Sequence, residues 1–194
     1  MKSVKFFGVV LNGGESSRMG ESKGDLQFLG RPLMETSLSA LRESGASEIV
    51  VIGGGRPSWL QKDVAHVGDK YPGEGPIGGL ITALTMSSEE NVMVLSNDFM
   101  NIDGTTIQKI LENANGSNVI VPVVGGHRQV LSALWRRSSL PVVCEAYDSG
   151  IRSVQSVLDL LTVNEVFEFD ESKFVNANTP SEIIDYIATL GRSN

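Results

Sequence analysis

The stretch FFGVVLNGGESSRMGESKG, residues 6–24, joins an apolar run to a long glycine-rich loop. The run is continuously apolar rather than alternating, which is typical of a strand covered on both faces of a parallel sheet. Gly13 and Gly14 permit positive φ, so successive amide N–H groups can turn toward phosphate oxygens. Arg18 adds a forked donor and Lys23 a point charge. The pattern favours a phosphate-binding loop after a buried strand, with a solvated loop carrying two incidental bases as the alternative.

Two familiar phosphate loops are excluded. A P-loop requires Gly-Lys-Ser/Thr at its end, whereas Gly20 is followed by Glu21 and Ser22, and the dinucleotide pattern G-x-G-x-x-G does not occur within residues 11–24.

Composition narrows the class of protein. The 194 residues are 41% hydrophobic and carry a formal net charge of −7, so broad attraction to nucleic acid or to an anionic membrane is not expected. The single cysteine, Cys144, is interpreted as a buried, inert thiol, and the two histidines with it cannot form a Cys/His zinc site. We see no signal-peptide pattern and no apolar run near the ~20 residues that span a bilayer. We therefore expect a cytoplasmic protein.

Strand-like runs alternate with amphipathic stretches along the chain. Helices are predicted from Pro32 to about Gly45, at 77–86, around 107–114, and after Thr179, where a capping box begins. The apolar residues of the last helix are expected to form a buried stripe: Ile183, Ile184, Ile187 and Leu190. Further buried strands are predicted at 49–52, 92–95 and 119–124. The alternation predicts a single α/β domain over residues 1–194, with a mainly parallel, Rossmann-like sheet and helices on both faces.

Ligands of such sheets bind beyond the carboxyl ends of the strands, where two more loops stand out. Gly78 and Gly79 at a helix start each cost about 1 kcal/mol relative to alanine, so a ligand or another backbone should approach closely there. Asp69, in the preceding loop, is a candidate acceptor for ribose or base. Asp98, directly after a buried strand, is a candidate Mg²⁺ ligand, and the alternative is that Asp98 or Asp103 caps the next helix.

The loops together resemble the molybdenum cofactor guanylyltransferase family. The motifs that carry the resemblance run in order over nearly the whole chain: LNGG at 11–14, SRMG at 17–20, Lys23, Asp69 before GPIGG at 75–79, Asp98, and NANTP at 176–180. The chain departs from the family pattern at a few positions: Asn12 for alanine, Asn97 and Met100 for cysteine and proline, Val130 for proline, and Gly53 where some members have asparagine.

The resemblance implies an enzyme that joins GTP to molybdopterin, with or without molybdenum, forming the guanine dinucleotide cofactor and pyrophosphate. It further implies Mg²⁺ as cofactor and transient contacts with proteins that deliver or accept the cofactor. The implied catalytic residues are Arg18, Lys23 and Asp98, with Asp98 as metal ligand. The implied nucleotide-binding residues are Leu11, Asn12, Gly13, Gly14, Lys23, Gly53, Asp69, Gly78 and Asp98. The implied substrate-binding residues are Gln129, Asn176 and Asn178.

Alternatives remain within and outside this chemistry. A molybdopterin cytidylyltransferase or a sugar-phosphate nucleotidyltransferase is the first, although the glycine pair at 13–14 leaves room for a purine edge. A binding-only module that carries a nucleotide or the cofactor is the second, and the presence of both Lys23 and Asp98 argues against it.

Overall fold

The structure is a computed structural model that describes residues 4–13 and 26–191, in which helices cover both faces of a central sheet. The strands are β1 (Phe7–Leu11), β2 (Gln27–Phe28), β3 (Arg31–Pro32), β4 (Glu48–Ile52), β5 (Ala65–Val67), β6 (Asn91–Ser96), β7 (Val119–Val124), β8 (His127–Arg128), β9 (Ser132–Arg136) and β10 (Val163–Val166). The helices are α1 (Met34–Glu43), α2 (Pro76–Met86), α3 (Gly104–Glu112), α4 (Leu140–Asp148), α5 (Val154–Leu158) and α6 (Pro180–Leu190). Short 3₁₀ turns cover Arg137–Ser139 and Glu171–Phe174.

The sheet is mixed and mostly parallel. Its strand order is β10-β7-β9-β6-β1-β4-β5, and β8 pairs with the end of β7, while β2 and β3 form a separate hairpin. β1 is parallel to β4 and β6, and β9 runs antiparallel between β6 and β7. The predicted α/β fold is confirmed, and the antiparallel strand inside the sheet is an addition to it.

β1 shows why the predicted strands read as continuous apolar runs. Val9 and Leu11 pack into the core beneath α2, α4 and α5, and Val10 packs into the core beneath α1 and α3. Side chains alternate between faces along a strand, so a strand with helices on both sides needs an apolar residue at every position.

β7 changes its partner at Pro122. It pairs with β9 at Val119 and Ile120, and with β8 at Val123 and Val124. Proline has no N–H to donate, so it fits where one ladder ends and the next begins. The carbonyl of Pro122 accepts a hydrogen bond from Gln129 N (2.8 Å), which holds the chain between β8 and β9 against the end of β7.

Two predicted helix features differ from the structure. Pro32 lies in β3, and α1 begins at Met34. The helix α6 begins as predicted with the Thr179–Glu182 capping box, but the prediction that its apolar residues form a buried stripe is wrong.

The apolar residues of α6 are mostly exposed. Ile183 is 4% exposed, whereas Ile184 is 66% and Leu190 is 41% exposed. The reason is that α6 packs beside the sheet, where Ile183 joins a small cluster with Leu33 and Met100. Only one side of the helix is therefore covered.

No helix in the described ranges combines the length and apolar character needed to cross a bilayer.

We expect Ile183→Ala to lower the free energy of unfolding by about 2–3 kcal/mol, because it removes a buried side chain and leaves a cavity. Ile184→Ala, one residue further along the same helix, is the matched control and should change it by less than about 0.5 kcal/mol. Urea unfolding followed by circular dichroism measures both. Equal losses in the two variants would mean that the two side chains are covered to the same extent.

Candidate active site

The central strands end together at one edge of the sheet. Register places their last residues side by side, at Leu11, Ile52 and Ser96. Asn12 extends the ladder by one residue, because its N–H donates to the carbonyl of Ile52 (2.8 Å). Gly53 has φ +89°, and its N–H donates to Val67 O (2.9 Å), so the chain turns away there. This carboxyl edge is where a ligand of an open α/β sheet binds.

Two asparagines meet at this edge. Asn97 Nδ2 donates to Asn12 Oδ1 at 2.7 Å, and both residues are 5% exposed. Within the described chain, Asn12 Nδ2 is buried and has no hydrogen-bond partner. Two of the positions that depart from the family pattern are therefore in direct contact.

Ser96 anchors the end of β6 through all of its polar groups. Its N–H donates to Leu131 O (2.9 Å), its carbonyl accepts from Ser37 Oγ of α1 (2.8 Å), and its hydroxyl donates to Asp98 Oδ1 (2.5 Å). The Asp98 side chain is partly exposed. Its carboxylate is thus oriented by a residue that is itself held from three sides.

Asp103, rather than Asp98, caps the next helix. Its carboxylate accepts from Thr106 N (2.8 Å) at the start of α3 and pairs with Lys173 Nζ (2.8 Å). Burial alone would raise the pKa of Asp103, but hydrogen bonds from Lys173, Thr106 and Thr105 outweigh it and hold the pKa well below its usual range. The capping alternative therefore belongs to Asp103.

The segment that contains Asn176 lies along the chain just after β6. Ala177 N donates to Asp98 O (2.9 Å), and Met100 N donates to Val175 O (2.9 Å). Asn176 is exposed. These backbone bonds bring the predicted substrate-binding motif beside the Asp98 loop, although the two are far apart in sequence.

Gln129 reaches the same edge by another route. It lies two residues before Leu131, whose carbonyl accepts from Ser96 N (2.9 Å), and it is partly exposed. Asn178 is exposed at the start of α6, where its N–H donates to Glu182 Oε2 (2.5 Å). Gln129 and Asn176 thus lie beside chain that leaves this edge, and Asn178 follows Asn176 at the start of α6.

A surface depression of about 440 Å³ opens next to the β7–β8 hairpin. It is lined by Val123, Gly126, His127, Arg128, Gln155 and Glu165. Arg128 pairs with Glu165 (2.7 Å) and Asp159 (3.3 Å). The hydrogen bond to Glu165 raises the pKa of Arg128, so the base in this depression already has its charge balanced.

Asp69 and Gly78 lie close together because both contact Tyr71. Asp69 Oδ1 accepts from Tyr71 N (2.9 Å) and from Thr82 Oγ1 of α2 (3.3 Å). A Cβ at Gly78 would lie 2.7 Å from Tyr71 O. Of the two reasons expected for this glycine, the structure contains the close approach of another backbone, which fixes Asp69 over the start of α2.

The first loop is described only at its start. Leu11 is buried, and a Cβ at Gly79 would lie 2.9 Å from its Cδ2, so its side chain packs against α2. Gly13 is exposed at the edge. The other predicted residues of this loop lie outside the described residues: Gly14, Arg18 and Lys23.

Sequence reasoning missed the polar supports of the site. Ser37 lies in the buried face of α1 between Met34 and Leu38, and Asn97 was noted only as a departure from the family. A hydroxyl within an apolar helical stripe is a usable signal, since a buried hydroxyl needs a partner. The contact of Asn97 with Asn12 has no local signal, because 85 positions separate them.

The fold is that of the nucleotidyltransferases, and these loops gather at the carboxyl edge of its sheet. The sequence profile described as a MobA-like NTP transferase domain matches residues 8–163, and the chain belongs to this family. This confirms the family to which the motifs pointed.

Individual relatives agree. The molybdenum cofactor guanylyltransferase of Xanthomonas euvesicatoria is 32% identical over 183 residues, which cover 90% of this chain and 90% of the relative. The structure of molybdopterin-guanine dinucleotide biosynthesis protein A from Archaeoglobus fulgidus matches with a TM-score of 0.71 at 21% identity, covering 95% of this chain and 98% of that one. A nucleotidyl transferase from Methanothermobacter matches with a TM-score of 0.75 at 17% identity, covering 98% and 99%. The two structural matches show the fold alone.

The ion pair and cap at Asp103 give stability that depends on pH. The pKa of this carboxyl is depressed in the folded state relative to the ordinary value of 3.8, so its contribution is present above that pH and is lost as the pH falls below it. Asp103→Ala should cost about 1–2 kcal/mol at pH 7, because it removes the cap. Asp103→Asn retains a capping side chain and loses only the partly exposed ion pair, so it should cost less than about 1 kcal/mol.

Urea unfolding at pH 7 and at steps down to pH 3 measures these effects. The Asp103→Asn protein should lose less stability on acidification than the wild type. Parallel losses in the two proteins would contradict the assigned role of this carboxylate.

Proposed function

We propose that this nucleotidyltransferase transfers GMP from GTP to molybdopterin, with or without bound molybdenum, and releases pyrophosphate. The observation that carries the proposal is the meeting of three segments at one edge. The glycine loop begins there at Gly13, Asp98 follows the neighbouring strand, and the Asn176 segment is hydrogen-bonded to the Asp98 backbone. The name of the Xanthomonas relative supports the same substrates.

The reaction does not require the protein to form a covalent bond to either substrate. The attacking group is the terminal phosphate of the acceptor, which is already anionic, so neither a covalent intermediate nor a strong base is needed. Catalysis then depends on positioning and on neutralising charge. We assign the triphosphate to the loop that begins at Gly13, with Arg18 and Lys23 as its bases.

We assign Mg²⁺ to Asp98. In nucleotide sites this ion takes one or two protein carboxylates and completes its shell with water and phosphate. Asp98 supplies one partly exposed carboxylate, and the described residues contain no group of three or more His, Cys, Asp or Glu side chains suited to a metal. This donor set fits an ion that arrives with the triphosphate. When bound, Mg²⁺ would neutralise charge on the leaving pyrophosphate.

Asp69 is assigned to the nucleoside. Its carboxylate accepts hydrogen bonds from Tyr71 N and Thr82 Oγ1, both at Oδ1. These bonds orient the carboxylate, and we assign Oδ2 to the ligand. A carboxylate accepts hydrogen bonds from a ribose hydroxyl or from the N–H groups of guanine.

The acceptor is assigned to the amide side chains of Gln129, Asn176 and Asn178. Each amide offers both donors and an acceptor, as a pterin and its phosphate require. Gln129 lies two residues before Leu131, which is hydrogen-bonded to Ser96, and Asn176 lies next to Ala177, which is hydrogen-bonded to Asp98. An acceptor held between them would lie close to the triphosphate.

We expect GTP with Mg²⁺ to give the largest thermal shift among GTP, CTP, ATP and UTP, each measured with and without Mg²⁺. A ligand at 100 times its dissociation constant stabilises the folded protein by about 2.7 kcal/mol. A clear preference for CTP would replace the guanylyl assignment by the cytidylyl alternative. Equal, negligible shifts with all four would remove the nucleotide from the proposal.

Asp98→Asn should abolish most turnover and spare the fold. Asparagine has nearly the same shape and its Oδ1 still accepts from Ser96 Oγ, but it lacks the charge that Mg²⁺ requires. Product formation from GTP and molybdopterin is measured across an Mg²⁺ titration, beside urea unfolding. Asp103→Asn, the same chemical change at the α3 cap, is the matched control and should retain turnover. Equal rates and metal dependence in wild type and Asp98→Asn would contradict the metal assignment.

A further inference from the structure

We infer that Asn12 and Asn97 are a positioning pair that sets the distance between the glycine loop and Asp98, so that each residue is useful only with the other. The inference rests on the proposed function, because it assigns the two loops to nucleotide and metal. Asn12 immediately precedes Gly13, and Asn97 immediately precedes Asp98. Their side chains make a direct hydrogen bond of 2.7 Å.

The burial of the pair makes an unpaired amide costly. Both residues are buried, and Asn12 Nδ2 has no partner in the described chain. Removing one member of such a pair leaves the other buried and unpaired, which costs more than removing both. The effects of substituting Asn12 and Asn97 are therefore expected to be strongly non-additive.

The turn after β4 is shaped around the same side chain. Gly54 has φ +60°, and a Cβ there would lie 2.8 Å from both Asn12 Nδ2 and Asn12 O. The Asn12 amide thus lies between the Gly53–Gly54 turn on one side and Asn97 on the other. The ends of three neighbouring strands are fitted to one side chain.

Backbone pairing alone does not set the spacing of the two loops. The β1–β6 ladder ends at Leu11 and Ser96. Beyond it, the Asn12–Asn97 side-chain hydrogen bond joins the segments that follow the two strands. Asp98 is oriented on its own side by Ser96. Loss of the side-chain link should therefore displace Gly13 relative to Asp98, while the contact of Asp98 with Ser96 remains.

Such a displacement predicts a specific kinetic effect. Misplacement of reacting groups by about 1 Å costs on the order of 100-fold in rate, while binding of the triphosphate to its own loop is less sensitive. Single alanine variants should lower kcat far more than they weaken Mg²⁺-free GTP binding. If the pair only stabilised the fold, the alanine variants would lower the free energy of unfolding and leave kcat unchanged below the melting temperature.

The test is a double-mutant cycle with Asn12→Ala, Asn97→Ala and the double variant. For each we measure unfolding in urea, GTP affinity by calorimetry without Mg²⁺, and kcat and KM with GTP, Mg²⁺ and molybdopterin. Each single variant should lower kcat by about 10-fold or more, and the double variant should be no slower than the worse single one. The resulting coupling in kcat is expected to be about 10-fold or more.

Asn101→Ala supplies the matched control. It removes an asparagine from the same loop, whose Nδ2 donates to Ser172 O (3.3 Å) rather than to Asn12 or Asn97. In the variant that combines Asn101→Ala with Asn97→Ala, kcat should equal the value obtained by multiplying the two single effects, within about 2-fold.

Multiplicative effects of Asn12→Ala and Asn97→Ala in wild-type-like folds, or single variants with unchanged kcat, would overturn the positioning role. A wild-type protein that binds no nucleoside triphosphate would overturn the proposed function, and the inference with it. Nucleotide binding by the wild type separates the two failures.

Discussion

β1 has hydrogen-bonded neighbours along both edges and buried side chains on both faces, so that its carboxyl end is the part of it that can meet a ligand. The same enclosure fixes the register of its neighbours, because a slip by one residue would turn a whole set of side chains to the wrong face. The strand ends at Leu11, Ile52 and Ser96 are placed side by side by this register. The core beneath the site thus sets where each loop leaves the sheet.

The one reversed strand in the middle of the sheet builds the other side of the site. β9 begins at Ser132, opposite Leu95, and runs away from the carboxyl edge. A strand that starts at this edge must be preceded by chain that lies there, and that chain is the β7–β8 hairpin with Gln129. A parallel strand in the same place would have begun at the opposite edge. The antiparallel direction of β9 therefore places the β7–β8 hairpin and Gln129 at the carboxyl edge, and no further helix is needed for this.

Much of this fold is predictable from sequence, and the failures have physical causes. Continuous apolar runs identified the central strands, because enclosure on both faces demands them. The direction of β9 was not predictable, since an apolar run carries no information on strand direction. The stripe of α6 was wrong because an amphipathic pattern shows that one face is apolar, while whether another element covers it depends on tertiary packing. Ile183 is covered and Ile184 is not.

The sequence singles out candidate site residues more clearly than it assigns their roles. The sequence left open whether Asp98 binds Mg²⁺ or whether Asp98 or Asp103 caps the next helix, and the hydrogen bond of Asp103 to Thr106 N assigns the cap to Asp103. It likewise left a ligand or another backbone as the reason for Gly78, and the structure places Tyr71 O there. In both cases the deciding contact is tertiary, and no spacing along the chain encodes it.

Polar burial at the carboxyl edge explains how such a site keeps one geometry. Apolar contacts are non-directional and tolerate small displacements, whereas a buried hydrogen bond fixes distance and angle together. Ser37, Ser96 and the Asn12–Asn97 pair place buried polar groups at the ends of adjacent strands, and Ser96 in turn orients Asp98. Each such group is costly if unpaired, so the alternatives in which the loops shift are penalised. The core therefore supplies the stability of this edge, and the buried polar contacts define the position of each loop on it.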